Sequence, residues 1–90
     1  MKNNPALIEL KKLMKKHNLN QHQIAFRIFV PASRISQILK AERRFTLETD
    51  LKLCTLFGLR PLYFFNMQIQ YELTQAKDKY KETLQKIIVV

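Results

Sequence analysis

The sequence predicts an all-α fold, five short helices followed by a C-terminal helical extension. Three observations predict it. Apolar residues recur at spacings of three and four through most of the chain, the period of a helix with one buried face. A single glycine, Gly58, marks a break in that pattern. Pro31 splits the apolar stretch around residues 21–44 into two short helices where one longer helix would otherwise run.

The first helix opens at Pro5, a favourable first-turn residue, and carries Ala6, Leu7, Leu10, Leu13 and Met14 on one face with Lys11, Lys12, Lys15 and Lys16 on the others. Asn18 and Asn20 are turn and cap residues, so a second helix begins at Gln21 and turns Ile24, Ala25 and Ile28 inward. It must stop at Phe29 or Val30, because Pro31 disfavours a helical Val30 and has no N–H to continue the ladder. Pro31 is suited to opening the third helix, which is expected to run to about Lys40 with Ile35, Ile38 and Leu39 buried. A fourth helix is predicted from Thr46 to Phe57, closed by Gly58. Pro61 is then read as the opener of a fifth, "LYFFNMQIQYEL", which is apolar on nearly every face.

Ninety residues with 47% hydrophobic content support one domain, residues 1–90, divided into a core over 5–75 and a helical tail over 76–90. One cysteine excludes an internal disulfide framework. The absence of a signal-peptide pattern and of a bilayer-length apolar run makes a cytoplasmic protein the expectation. The formal charge of +9 is uneven. Residues 1–45 hold ten Lys/Arg against Glu9 and Glu42, or +8, whereas residues 46–90 hold six against five acids, or +1. Such a split suggests a half that faces a polyanion and a half that faces protein.

The third helix lies in the basic half. Its buried stripe leaves Ala32, Ser33, Arg34, Ser36 and Gln37 on the remaining surface, all small, hydrogen-bonding or cationic. Two short helices at a sharp angle around a tight turn make a helix-turn-helix, whose second helix can enter the major groove of DNA.

The pattern Leu19, Gln21, Ile24, Ala25, Ile28, Val30, Ser33, Ile35, Ser36, Ile38 resembles the xenobiotic-response-element, lambda-repressor-like family of regulators. With Arg43, Arg44, Thr46, Thr49, Phe57-Gly58, Pro61, the aromatic run, Asn66, Gln68, Tyr71 and Leu73 added, residues 5 to 75 resemble the HigA-type antitoxins. That family usually places glycine where Phe29 and Ala41 stand here. Either the backbone bears a left-handed non-glycine residue, at roughly 1–2 kcal/mol each, or it takes another path.

The resemblance implies that Gln21, Arg43 and Arg44 clamp phosphates, and Gln23 and Arg27 are either backbone contacts or ordinary solvated residues. Base readout then falls to Ala32, Ser33, Arg34 and Gln37. Arg34 suits guanine and Gln37 adenine, each discriminating by roughly 1–3 kcal/mol, and Ala32 suits a thymine methyl; a phosphate contact by Arg34 is the alternative. Tyr63, Phe64, Met67 and Tyr71 either complete the core or form a dimer interface, which the resemblance also implies. A two-fold dimer would set two recognition helices about 34 Å apart on a palindromic operator.

Cys54 reads as a packing thiol, and His17 and His22 flank a turn without a third ligand at metal spacing, so neither a metal nor another cofactor is expected. No catalytic constellation is legible, and the chain reads as a non-enzyme. Tyr80, Leu84, Ile87 and Ile88 recur at helical spacing, and the closing "IIVV" should dock on the domain, a sister subunit or a toxin.

The function expected is therefore a repressor that autoregulates its operon. By resemblance alone it is also an antitoxin that neutralises a HigB-type messenger-RNA endonuclease. A phage-like or metabolic repressor without a toxin is the alternative within the same class. Two other classes fit less of the chain. The basic amphipathic "PALIELKKLMKKHN" suits an anionic lipid surface but would not need the fifty residues that follow, and a purely structural helical oligomer leaves the charge split unexplained.

Overall fold

The computed structural model describes residues 4–90. It contains six helices among them, α1 (Pro5–Lys16), α2 (Gln21–Arg27), α3 (Ala32–Leu39), α4 (Leu47–Phe57), α5 (Tyr63–Lys79) and α6 (Lys81–Lys86). Three of the starts have a local side-chain cap. Asn4, buried ahead of Pro5, accepts the Ala6 N–H at 3.0 Å. Asn20 and Gln23 exchange reciprocal backbone contacts of 2.8 Å in a capping box at the head of α2. Thr46 caps α4 through the Thr49 N–H.

Four helices end in the same way. A left-handed residue follows each terminus within two positions, with φ of 53° at Asn18, 58° at Phe29, 62° at Ala41 and 66° at Gly58. In each case the next N–H reaches back to the last turn: Leu19 to Met14, Val30 to Ala25, Glu42 to Gln37 and Leu59 to Cys54, at 2.8–3.1 Å. This is the Schellman closure, which satisfies carbonyls that the helix end would otherwise leave open. Phe29 and Ala41 thus keep the path that glycine would favour, and they carry the strain. α2 ends at Arg27 with Ile28 as its cap, a residue or two ahead of the expected stop, and Pro31 sits in an extended conformation as the cap of α3.

α1 packs on α5 and α3, α2 on α3, and α4 on α5. Between them Leu7, Leu10, Ile24, Ile28, Ile35, Ile38, Phe45, Leu53, Cys54 and Phe64 form one buried cluster. Phe45 stacks on Phe64 with ring centroids 5.5 Å apart, and Tyr63 meets Phe64 edge-on at 5.3 Å. Cys54 is enclosed here, and burial pushes its thiol above the usual cysteine range, as expected of a packing residue.

Two buried polar side chains fix the geometry around this cluster. Both oxygens of the Asp50 carboxylate accept backbone N–H groups at the head of α5, from Leu62 at 2.6 Å, Phe64 at 3.0 Å and Phe65 at 2.9 Å. Gln68 takes the Phe45 N–H at 2.8 Å and donates its amide to the Phe45 carbonyl at 3.0 Å, which pins the α3–α4 loop to α5. The first contact revises the expected start of α5. Pro61 lies in the preceding turn, Leu62 is left-handed with φ of 75°, and the helix begins at Tyr63 because Asp50 supplies the cap from another helix.

The tail departs from expectation as well. The helix breaks at Tyr80, α6 stops at Lys86, and the last four residues carry no helix. Leu84, Ile87, Ile88, Val89 and Val90 are exposed, so the "IIVV" segment is not docked on its own chain. The described residues span 50 × 23 × 22 Å.

Asp50→Asn puts an amide N–H where a backbone N–H needs an acceptor. The substitution should cost about 2 kcal/mol, a fall in Tm of roughly 8–16 °C; a melt within 3 °C of native would show that Asp50 does not set the corner. The left-handed ends give a paired expectation. Phe29 is 86% exposed, so Phe29→Gly removes strain with little packing and should stabilise by about 1 kcal/mol. A Cβ on Gly58 meets nothing within 4 Å, so Gly58→Ala isolates the backbone term and should destabilise by a similar amount in the same melts.

Candidate nucleic-acid interface

α3 is anchored by Ile35 and Ile38, both fully buried, and its cap residue Pro31 follows the left-handed turn at Phe29. Ser33 and Gln37 are exposed and Arg34 is partly covered, while Ala32, in the first turn, packs against the core cluster. These four base-readout candidates therefore share one helix, and three of them have polar groups able to meet a base edge. Gln21 opens α2 half-covered, and Arg43 is exposed in the loop after α3 with no ion pair among the described residues.

Three candidates are tied down within the chain. Arg44 was expected beside Arg43 as a phosphate clamp. In the structure its guanidinium is turned to α5, where Glu72 accepts from Nε at 2.6 Å and from Nη2 at 2.7 Å. The group also lies 5.9 Å from the Phe65 ring centroid. A fork of this kind is the strongest geometry for an arginine–carboxylate pair, and it holds Glu72 below the usual carboxylate range. Arg43 is left as the unpaired cation of the two. Gln23 spends its carbonyl oxygen on the Asn20 N–H and keeps only its amide protons for an anion.

Arg34 makes the third such contact. Its Nη1 lies 3.5 Å from Glu48 Oε2, and the same oxygen accepts Lys52 Nζ at 2.8 Å. Glu48 stands in the first turn of α4, so a carboxylate from the next helix sits beside the α3 side chain best suited to guanine. Sequence reading missed Glu48 and Glu72. The i, i+4 spacing of Glu48 and Lys52 was visible, but nothing along the chain relates Glu48 to Arg34, 14 residues away, or Glu72 to Arg44, 28 residues away.

The dimer candidates divide. Phe64 is fully buried between Phe45 and Tyr63, and so is withdrawn from any interface. Tyr63 is half-covered and donates its hydroxyl to Glu9 Oε2 at 2.9 Å, which joins α5 to α1. Met67 and Tyr71 line an open groove of about 570 Å³ with Pro5, Asn66, Gln70, Thr74 and Gln75. Ile69 and Leu73, which were not singled out, are exposed elsewhere on α5. His17 rests against Phe57 at 5.5 Å between ring centroids, which gives it a packing role at the end of α1. No helix among the described residues is long and apolar enough to cross a membrane.

The helix-turn-helix family model matches residues 10–64, which contain α2, α3 and α4 in full. Virulence-associated protein I of Dichelobacter nodosus is 33% identical over 73 residues, 81% of this chain and 68% of that protein. Among solved structures, an addiction module antidote protein of the HigA family from Coxiella burnetii is 26% identical. It superposes with a TM-score of 0.83 over 97% of this chain and 95% of its own. The Pseudomonas aeruginosa antitoxin HigA, solved with the higBA promoter, is 17% identical, a likeness of fold, with a TM-score of 0.83 over 96% and 94% of the two chains. The chain belongs to the helix-turn-helix family, and its fold is that of the HigA-type antitoxins.

Proposed function

We propose that this protein is a sequence-specific DNA-binding repressor that acts as a dimer on a palindromic operator, autoregulates its operon and serves as the antitoxin of a HigB-type messenger-RNA endonuclease. The observation that carries the DNA-binding part is the accessible surface of α3, where Ser33, Arg34 and Gln37 stand on a helix anchored by Ile35 and Ile38. The stretch that contains that helix, residues 1–45, carries a formal charge of +8. The antitoxin part is supported by likeness to the HigA-family antidote protein of Coxiella burnetii.

In this reading α3 enters the major groove and Gln37 and Arg34 read base edges, while Ala32 and Ser33 allow close approach. Gln21, Gln23 and Arg43 hold phosphates and fix register without reading sequence. Arg44 orders the loop that presents Arg43, because Glu72 holds it against α5. Met67 and Tyr71 supply partly exposed apolar surface for a two-fold contact. The exposed "IIVV" segment is a further surface for a sister subunit or for the toxin.

Titration of a fluorescent duplex of the protein's own promoter, against a scrambled duplex and across salt, tests the reading. Arg34→Ala should erase the preference for the promoter. Arg43→Ala should weaken both duplexes and lower the salt slope by roughly one unit. A native protein that binds the two duplexes equally would defeat the repressor assignment. Failure of the protein to retain a co-expressed HigB-type toxin would leave a repressor without a toxin partner.

A further inference from the structure

Phe29 is a strained residue whose side chain the fold does not use. Its backbone is left-handed, with φ of 58°, a conformation in which any side chain is strained and glycine is not, yet its ring is 86% exposed. No burial of that ring offsets the strain. Phe26, one turn earlier in α2, is 84% exposed, and Leu47 and Leu51, one turn apart on α4, are each about half exposed. Between the end of α2 and α4 runs an open groove of about 510 Å³, in which Phe29 and Leu51 meet the more deeply placed Ile28 and Leu56. Large apolar side chains grouped in this way on a surface mark an interaction site. Two cations frame the groove. Lys52 is held by Glu48, whereas Arg27 is exposed and makes no ion pair among the described residues.

We propose that this groove is where the protein holds its protein partner, and that it receives a segment whose apolar side chains lie next to a carboxylate. The inference rests on the antitoxin reading, so the partner is the HigB-type toxin. Phe29 and Leu51 supply the apolar contact, and Arg27 sets the charge of the occupant. Apolar side chains seated in the groove exclude water from its rim, and a carboxylate brought to the unpaired guanidinium then pairs with it in a partly dry site. A second copy is a poor occupant. A two-fold contact across the groove would bring two Arg27 and two Lys52 side chains together, and the exposed C-terminal apolar segment of another copy follows Lys81 and Lys86, which are cations again. The groove is also separate from the candidate DNA contacts, because none of Gln21, Gln23, Ser33, Arg34, Gln37 and Arg43 lines it. Partner binding and DNA binding can therefore be altered independently.

The test is the affinity of the whole chain for a co-expressed HigB-type toxin, measured beside promoter-duplex binding and thermal melts. Phe29→Gly keeps the left-handed turn without its strain. It should melt no lower than native and bind the promoter duplex within about twofold, yet hold the toxin about tenfold more weakly or worse. Leu51→Ala should weaken the toxin in the same way. Arg27→Glu should also cost about tenfold in toxin affinity, and Arg27→Lys should recover most of that loss. Native toxin affinity in Phe29→Gly and Leu51→Ala overturns this inference and leaves the antitoxin reading standing. Native affinity in Arg27→Glu overturns it as well, since the bound segment would then lack its carboxylate. If Phe29→Gly instead lowers the mass of the toxin-free protein in light scattering, or abolishes its co-sedimentation with phosphatidylglycerol vesicles, while toxin affinity stays native, the groove belongs to a second copy or to a lipid surface and the inference falls. A native protein that does not hold the toxin removes the antitoxin reading, and this inference with it.

Discussion

The Asp50 carboxylate is the interaction on which the rest of this structure depends. Three backbone N–H groups at the head of α5 converge on it from within a buried site, and no side chain of α5 itself supplies a cap. Acceptance of several N–H bonds is what allows a carboxylate to be buried at all, because each bond replaces hydration that burial removes. Asp50 belongs to α4, so the contact fixes the angle between α4 and α5 as well as the start of α5. Gln68, one helical turn beyond Phe64, then uses both ends of its amide on Phe45 and sets the loop that leads out of α3. The position of α3 is thus determined at both of its ends, by the turn before it and by this clamp after it.

The turn before α3 has its own physical signature. Chain reversals after α1, α2, α3 and α4 all use a left-handed residue, yet only the last is glycine. Asparagine tolerates that conformation through its short polar side chain, while phenylalanine and alanine do not gain in this way. Retention of the left-handed path at Phe29 and Ala41 means that packing on either side outweighs strain of about 1–2 kcal/mol at each. Val30 and Ile28, which flank Phe29, are buried in the main cluster, and an alternative path would pull one of them out. Two well-seated residues therefore hold a strained one between them.

How much of this was legible in the sequence follows from the range of each interaction. Helix spans, the break at Pro31, the Gly58 terminus and the buried Cys54 were readable because their causes lie within four residues. The buried stripe of α3, Ile35 and Ile38, was readable because a helix repeats on itself. By contrast Asp50, Gln68, Glu72 and Glu48 act on residues 12 to 28 positions away, and no local pattern marks them. That is why Pro61 reads as the opener of α5, and why the resemblance that sets Arg44 beside Arg43 as a phosphate clamp carries no sign of Glu72. Phe64 was placed among interface residues for a related reason. In a segment apolar on all sides, periodicity does not tell which face meets the chain's own core and which is left for a partner.

Long-range pairing also changes what the charge split means. The excess of +8 in residues 1–45 counts every cation as available. Folding assigns Arg34 to Glu48 and Arg44 to Glu72, so acids from the nearly neutral half partly cancel the basic half at the two places where it borders α4 and α5. Lys12 meets Glu9 within α1 at 3.9 Å, a loose surface pair of little energetic weight. Other cations, Arg43 and the remaining lysines of α1 among them, make no ion pair among the described residues. The two tethered arginines supply something else, a defined position. The bidentate Arg44 pair gives up charge for a fixed loop, and the looser Arg34 pair keeps its guanidinium within reach of α3. The cations of one basic half thus differ in freedom, according to how tightly the folded chain holds each.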